Sequence, residues 1–248
     1  MHESLIVNAE SIKASQITFV GDLHGCYRSF KALLEKIPQE DNVVVLLGDV
    51  INKGKRSYET YQFVRGQGFM QLLGNHDYYC VNRHNEHGQI PWLRQGGGST
   101  VQSIRNHFEN LGDSQLQIVL SEMAYYFRSA LSYLIVETSF GKKLLATHGG
   151  ISPKVYRQYY FNLPQVLNMD IRRSTSYLFN KMELVDLPGF IQVIGHQPTE
   201  KDRLFDGKNY HLDTGCVYNR RGMGWLTAGT FSLVEDRPPI ITQQVNID

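Results

Sequence analysis

This sequence predicts an α/β fold in which two mixed β-sheets stack face to face with helices outside. Three observations lead there. The first third alternates short aliphatic runs with helix-spaced segments. Each aliphatic run stops at once in glycine followed by polar residues. From Ala124 onward, short strand-like runs succeed one another quickly. Strands separated by helices give parallel βαβ units, whose ligands gather at the carboxyl ends of the strands.

Residues 17–20 form the first expected strand, ending in Gly21-Asp22. Residues 27–37 place Phe30, Leu33, Leu34 and Ile37 at helical spacing. A second strand over 43–47 ends in Gly48-Asp49, and a helix over 57–65 carries Tyr58, Tyr61 and Phe63. The third strand, 69–73, ends in Gly74-Asn75-His76-Asp77. Helices are expected over 99–109 and 113–122, with Gly96-Gly97-Gly98 as a turn into an N-cap at Ser99. Strands follow at 125–128, 132–137 and 143–147, the last ending in His148-Gly149-Gly150. Residues 152–189 read as irregular, with one helix near 175–182. Further strands are expected at 192–194, ending in Gly195-His196, and at 210–213, 225–228, 231–234 and 240–245. This order suggests a parallel sheet first and a more antiparallel sheet second, within one domain over 1–248.

Composition narrows the function classes. The chain has 248 residues, 42% hydrophobic and 20% charged, as in ordinary globular proteins. Its 25 basic and 24 acidic residues nearly cancel, which argues against coating extended nucleic acid. The first thirty residues lack a secretory pattern and no run suits a bilayer, so a cytoplasmic protein without membrane partners is expected. Cys26, Cys80 and Cys216 are scattered and odd in number, which favours free thiols over a disulfide framework.

The strand ends carry the chemistry. Asp22 and His24 flank one residue in GDLHG, so on an extended segment both face one cation. Alone, that pair is weak evidence. Asp49, Asn75, His148 and His196 follow strand-like runs in the same manner. Imidazole, carboxylate and amide oxygen together suit divalent Mn²⁺, Fe²⁺ or Zn²⁺. Two such ions would leave a surplus of positive charge after Asp22, Asp49 and a bridging hydroxide are counted. A surplus of that sign attracts phosphate, and Lys53 reads as a further cation aimed at a phosphate oxygen.

The ordered set GDLHG, GDVINKG, GNHD, HGG and GHQP closely resembles the binuclear metallophosphoesterases of the phosphoprotein phosphatase (calcineurin-like) superfamily. The resemblance runs from Gly21 to about Gly215, and LDTGCVY looks like the family's closing strand and turn. It implies a four-layer αββα sandwich holding two divalent ions, Mn²⁺ first, with Fe²⁺ or Zn²⁺ as alternatives. Asp22, His24 and His196 would bind one ion, Asn75 and His148 the other, and Asp49 would bridge them. His76 is similar to the family's general acid, with Asp77 as the carboxylate that orients it. Arg172-Arg173 is the candidate for a second phosphate grip, against a solvated basic pair as the plain alternative.

Among members, compact bacterial and phage serine/threonine protein phosphatases are closest in size. The resemblance therefore implies hydrolysis of phosphate monoesters, phosphoserine and phosphothreonine in proteins first, by a metal-bridged hydroxide with His76 as acid. The alternative is a dinucleoside polyphosphate or polyphosphate hydrolase, since ApaH-like bis(5′-nucleosyl)-tetraphosphatases share the opening motifs. Partners would then be a phosphorylated protein or a small phosphorylated molecule. A non-catalytic phosphatase-like binding module is the third reading, and the intact ligand set argues against it. Many members read GDxxDRG where this chain has Asn52 and Lys53, and lysine offers a point charge instead of a fork. His84 and His87 read as a solvated loop, and Tyr156, Tyr159, Tyr160 and Phe161 as packing rather than a substrate groove.

Overall fold

The structure, a computed structural model, describes residues 5–84 and 92–248, the side chains of residues 7–10 excepted. In chain order the first elements are β1 (Leu5–Asn8), α1 (Ala9–Ile12), β2 (Gln16–Val20), α2 (Tyr27–Leu34) and β3 (Asn42–Leu46). Then come α3 (Ser57–Gln67), β4 (Met70–Gln71), α4 (Asn75–Val81), α5 (Gly98–His107) and α6 (Asp113–Arg128). The second half holds β5 (Tyr133–Glu137), β6 (Lys143–Thr147), α7 (Pro153–Gln158), α8 (Leu163–Leu167) and β7 (Phe190–Ile194). It closes with β8 (Tyr210–His211), β9 (Trp225–Ser232) and β10 (Ile240–Val245).

These strands make two five-stranded sheets, β10-β9-β2-β3-β4 and β1-β5-β6-β7-β8. Period-two alternation assigns their faces. Ile17, Phe19, Val45 and Leu47 point between the sheets, where they meet Leu134, Val136, Leu144 and Ala146. Val20 and Leu46 point the other way, under Phe30, Leu33, Tyr61 and Phe127 from the helices. On the far side of the second sheet, Tyr133, Ile135 and Leu145 pack under Val155, Val166 and Leu167. Helices, sheet, sheet, helices is the four-layer order that the motif resemblance implied.

The division into a parallel and an antiparallel sheet does not hold. β2, β3 and β4 run parallel, but β9 pairs antiparallel with β2, Gln16 opposite Ser232, and β10 pairs antiparallel with β9. In the second sheet only β5 and β6 are antiparallel. The last two strands return to the first sheet instead of extending the second.

Three local expectations also change. Residues 125–128 are the end of α6, not a strand: Leu116, Leu120, Met123 and Phe127 form one buried stripe, while Tyr125 faces solvent. No helix forms over 175–182, which is a run of turns. The helices of that region are α7 and α8, opened by Ser152 and Asn162, whose side chains accept from Val155 N and Gln165 N. Ser152-Pro153 and Asn162-Leu163-Pro164 were legible start signals. Residues 225–234, expected as two strands, carry the single strand β9 through Gly229. Tyr156 and Tyr159 pack on the outer core as expected, whereas Tyr160 and Phe161 are largely exposed. His87 lies outside the described residues. Among those described, all three cysteines are free and buried, and no helix is long and apolar enough to cross a membrane.

Candidate active site

Four strand ends deliver the motif residues to one place. Asp22 and His24 follow β2, Asp49 follows β3, His148 follows β6 and His196 follows β7. Asn75 and His76 open α4 just beyond β4. All are at least nine-tenths buried except His196, which is half-buried. His24, Asp49 and His196 hold φ of 43°, 51° and 64°. That left-handed region is uncommon for such residues and persists where surrounding contacts enforce it. One enforcing contact is Gly74, where a Cβ would fall 2.0 Å from the backbone nitrogen of Asp49.

Backbone carbonyls aim the imidazoles. His24 Nδ1 donates to the Ile51 carbonyl at 3.1 Å, and His148 Nδ1 to the Leu47 carbonyl at 2.7 Å. Each ring therefore turns Nε2 into the site, the arrangement that ligating histidines adopt. His148 Nε2 meets Asn75 Oδ1 at 3.0 Å and Asp49 Oδ1 at 3.4 Å. Three acceptors converging there require a proton or a cation between them. Burial alone would lower His148, but the Asp49 charge outweighs it and holds the ring at about 9. Lys53 Nζ stands 2.8 Å from His24 Nε2, a cation already placed before that ring. Among the described residues, the buried Nε2 of His196 has no partner.

Charge on the acids tells the same story. Burial, then repulsion from Asp213 and Asp49, pushes Asp22 well above the usual carboxylate range. Burial would raise Asp49 too, but His148, His76 and His24 hold it well below. Buried acids in conflict with one another, facing imidazoles with free lone pairs, fit divalent cations. Two sets of donor atoms lie within 4.8 Å of one another: Asp49 with His148 and His196, and His24 with Asp49 and His76. Asp49 belongs to both.

The geometry redistributes some expected partners. His196 Nδ1 lies 2.8 Å from Asn75 Oδ1, so this ring sits with Asn75 and His148 rather than with Asp22 and His24. Only its backbone nitrogen reaches Asp22, donating to Oδ1 at 3.0 Å. Asp22 stays close to His24, 3.7 Å from Nε2. Asp77 accepts from Val50 N and Gly74 N, both at 3.2 Å, bracing α4 and the loop after β3. At the His76 ring stand Asn52, whose Nδ2 lies 3.3 Å from Nδ1, and the Gln95 backbone, which also hydrogen-bonds the ring.

A cavity of about 410 Å³ opens over the cluster, lined among others by Asp49, Lys53, His76, Lys181, His196 and Tyr218. Arg172 does not line it; this side chain is three-quarters exposed and grips Asp170 through two nitrogens. Arg173 is likewise absent from its walls. The cation that the segment between HGG and GHQP does supply is Lys181. Its turn is tied to the His148 loop by buried Asn180, whose Nδ2 donates to the carbonyls of Gly149 and Met182 at 3.1 Å. Tyr218, 5.3 Å under the Lys53 ammonium, also went unread in LDTGCVY.

The sequence profile of calcineurin-like phosphoesterases matches residues 15–234. The chain belongs to the calcineurin-like phosphoesterase family. A symmetrical bis(5′-nucleosyl)-tetraphosphatase of Haemophilus influenzae (strain PittEE) is 40% identical, the match covering 82% of this chain and 90% of that protein. An asymmetrical bis(5′-nucleosyl)-tetraphosphatase of Bacillus subtilis is 25% identical, over 83% of this chain and 88% of that one. Other curated relatives match over less of their length, the chain spanning 44%, 24% and 53% of three of them. Among solved structures, a protein serine/threonine phosphatase from Saccharomyces cerevisiae superposes with a TM-score of 0.64 at 12% identity, covering 99% of this chain and 84% of that one. At that identity the likeness is one of fold.

Proposed function

We propose that this calcineurin-like phosphoesterase is a metal-dependent hydrolase of dinucleoside polyphosphates, cleaving a phosphoanhydride at the cluster around Asp49. The observation that carries the reading is a buried set of cation-demanding donors beneath a cavity whose walls add two lysines, Lys53 and Lys181. Support for the substrate comes from two relatives of which the chain covers 90% and 88%. Asp22, His24 and Asp49 would hold one divalent ion, Mn²⁺ in our reading. Asp49, Asn75, His148 and His196 would hold the second. Such ions supply Lewis-acid charge and lower the pKa of a bound water.

The chain's own groups do the rest. Lys53 is held above its ordinary value: burial opposes this, but Asp49 and Tyr218 outweigh it, so its charge is available to a phosphate oxygen. Lys181, solvent-facing at the rim, offers a second charge to a multiply anionic substrate. His76 sits inside the same cavity with its Nε2 3.8 Å from Asp49 Oδ2, where it can donate a hydrogen bond to a leaving oxygen. A side-by-side assay of diadenosine tetraphosphate, inorganic polyphosphate and a phosphoserine peptide, with Mn²⁺ supplied, tests the proposal. Diadenosine tetraphosphate should lead in kcat/KM by about tenfold or more. Preference for the phosphopeptide would replace this reading with the protein-phosphatase one.

A further inference from the structure

We propose that the cavity next to the Asp49 cluster is a subsite for a phosphate chain, holding the anionic groups of an extended substrate beyond the phosphate at the cluster. The proposal deepens the phosphoesterase reading and rests on it, but not on which nucleoside is attached. This second cavity measures about 550 Å³, and Lys53 and Tyr218 line both. The cavity over the cluster, about 410 Å³, lies toward the small end of ligand sites, which run from about 300 to 1,000 Å³. A chain of several phosphates with nucleosides attached needs more room than that. The shared wall provides it on one side.

That wall is made of strained backbone. Asn52 and Lys53 hold φ of 74° and 64°, two consecutive residues in the left-handed region. Gly54 follows against the GDLHG loop, where a Cβ would fall 2.0 Å from the His24 carbonyl oxygen. Lys53 N donates to the Gly96 carbonyl at 3.3 Å, and Gly54 N to the Asn52 carbonyl at 2.8 Å. The tight turn so formed leaves Lys53 in the wall of both cavities and Lys55 in the second alone.

Charge decides the ligand class. Lys53 Nζ stands at His24 Nε2 and so serves the first cavity. Lys55 is exposed and, among the described residues, meets no carboxylate. The Arg220 guanidinium lies 5.4 Å from the centre of the Tyr218 ring, and it too pairs with no acid among the described residues. Asn219, exposed in the same lining, adds an amide donor. One acid lines this cavity, Asp248, and its charge is taken up locally. Oδ1 accepts from Arg28 N at 2.9 Å, and Oδ2 from Ser29 N at 3.0 Å and Ser29 Oγ at 2.7 Å. Arg56 Nε lies 3.8 Å from Oδ1. The first N–H groups of α2 are thus already occupied, and a phosphate chain would be held by the Lys55 and Arg220 side chains.

Equilibrium dialysis reads this without turnover. The probes are inorganic phosphate and the methylene-bridged analogue of tripolyphosphate, whose carbon bridges cannot be hydrolysed, with free Mn²⁺ held constant. Bound phosphorus is counted by elemental analysis. The native protein should bind the longer probe about tenfold more tightly than phosphate, the scale of one added charge-assisted hydrogen bond. The double variant Lys55→Met with Arg220→Met should shrink that preference about fivefold, as expected for two exposed charge contacts. Lys55→Glu, which reverses one charge, should shrink it as well. Equal binding of the two probes by the native protein, or an unaltered preference in the folded double variant, overturns the proposal. If the preference falls as expected while diadenosine tetraphosphate proves inert, the nucleotide reading fails and the subsite stands. If the double variant cleaves diadenosine tetraphosphate at an unchanged KM, the subsite fails and the nucleotide reading stands.

Discussion

The two ends of the strand sandwich differ in what they bury. At the carboxyl ends of β2, β3, β6 and β7, Asp22, Asp49, His24, His148 and His196 gather beneath a cavity of about 410 Å³, which Asp49, His76 and His196 line directly. At the opposite end lies a larger cavity of about 530 Å³, walled by Phe140, Leu144, Phe190, Phe205, Tyr210 and Phe231 among others. There the rings pack together, Phe205 tilted against Tyr210 at 4.7 Å and Tyr210 edge to face with Phe231 at 5.1 Å. Its charges stay at the rim as exposed pairs, Lys142 with Asp236 and Lys208 with Asp186. Of these two cavities, the larger is not the one that gathers the motif residues. Backbone held at positive φ and charge kept out of water identify the working one, since both are unfavourable unless something uses them.

Three substitutions bear on that contrast. The largest effect should come from Asp49→Asn, which removes the one carboxylate common to both donor sets. Elemental analysis should show metal lost, and kcat/KM should fall on the order of 10³-fold. A fully loaded, active variant would break the contrast at its centre. Lys53→Met keeps the side chain's stem over Tyr218 but deletes its ammonium. KM for an aryl phosphate should rise about tenfold with a smaller change in kcat, the scale of one charge-assisted hydrogen bond. An unchanged KM would mean that the ammonium serves His24 alone. At the opposite end, Lys142→Met removes an ion pair whose partners are about half exposed, 49% and 57%. Thermal melts should register less than about 1 kcal/mol, with kcat/KM unaltered. A clear loss of activity there would show that the two ends are coupled.

How much of this was legible in the sequence depends on the range of the contact. Each ligand-type residue announced itself locally, because glycine and a polar group directly after an aliphatic run can be seen within five or six positions. Lys181 carried no such mark; its place is set by Asn180, whose amide binds a loop 31 residues away in sequence. Asn52 stood out only as a departure from GDxxDRG, since its side-chain partners Trp92 and Thr100 lie 40 and 48 positions on. His196, expected to share an ion with Asp22 and His24, has its ring beside Asn75: position after a strand says that a side chain reaches the site, not toward which side. The strand expected at 125–128 failed differently. Tyr125, Tyr126 and Phe127 have strand-like propensity, but Phe127 completes a helical stripe that Leu116 begins, and packing overrode propensity.

The pairing of β2 with β9 sets the order in which this molecule can be finished. Gln16 lies opposite Ser232 and Val20 opposite Ala228, so the strand carrying the first motif has one flank made of residues more than 200 positions downstream. During synthesis, GDLHG, GDVINKG and GNHD have long left the ribosome before that flank exists. Contacts of such separation are slow to form and leave strand edges open while they are awaited. The donor set therefore gains its final support only once β9 has been made. Occupancy of the centre then becomes a report on whether that strand has docked beside β2.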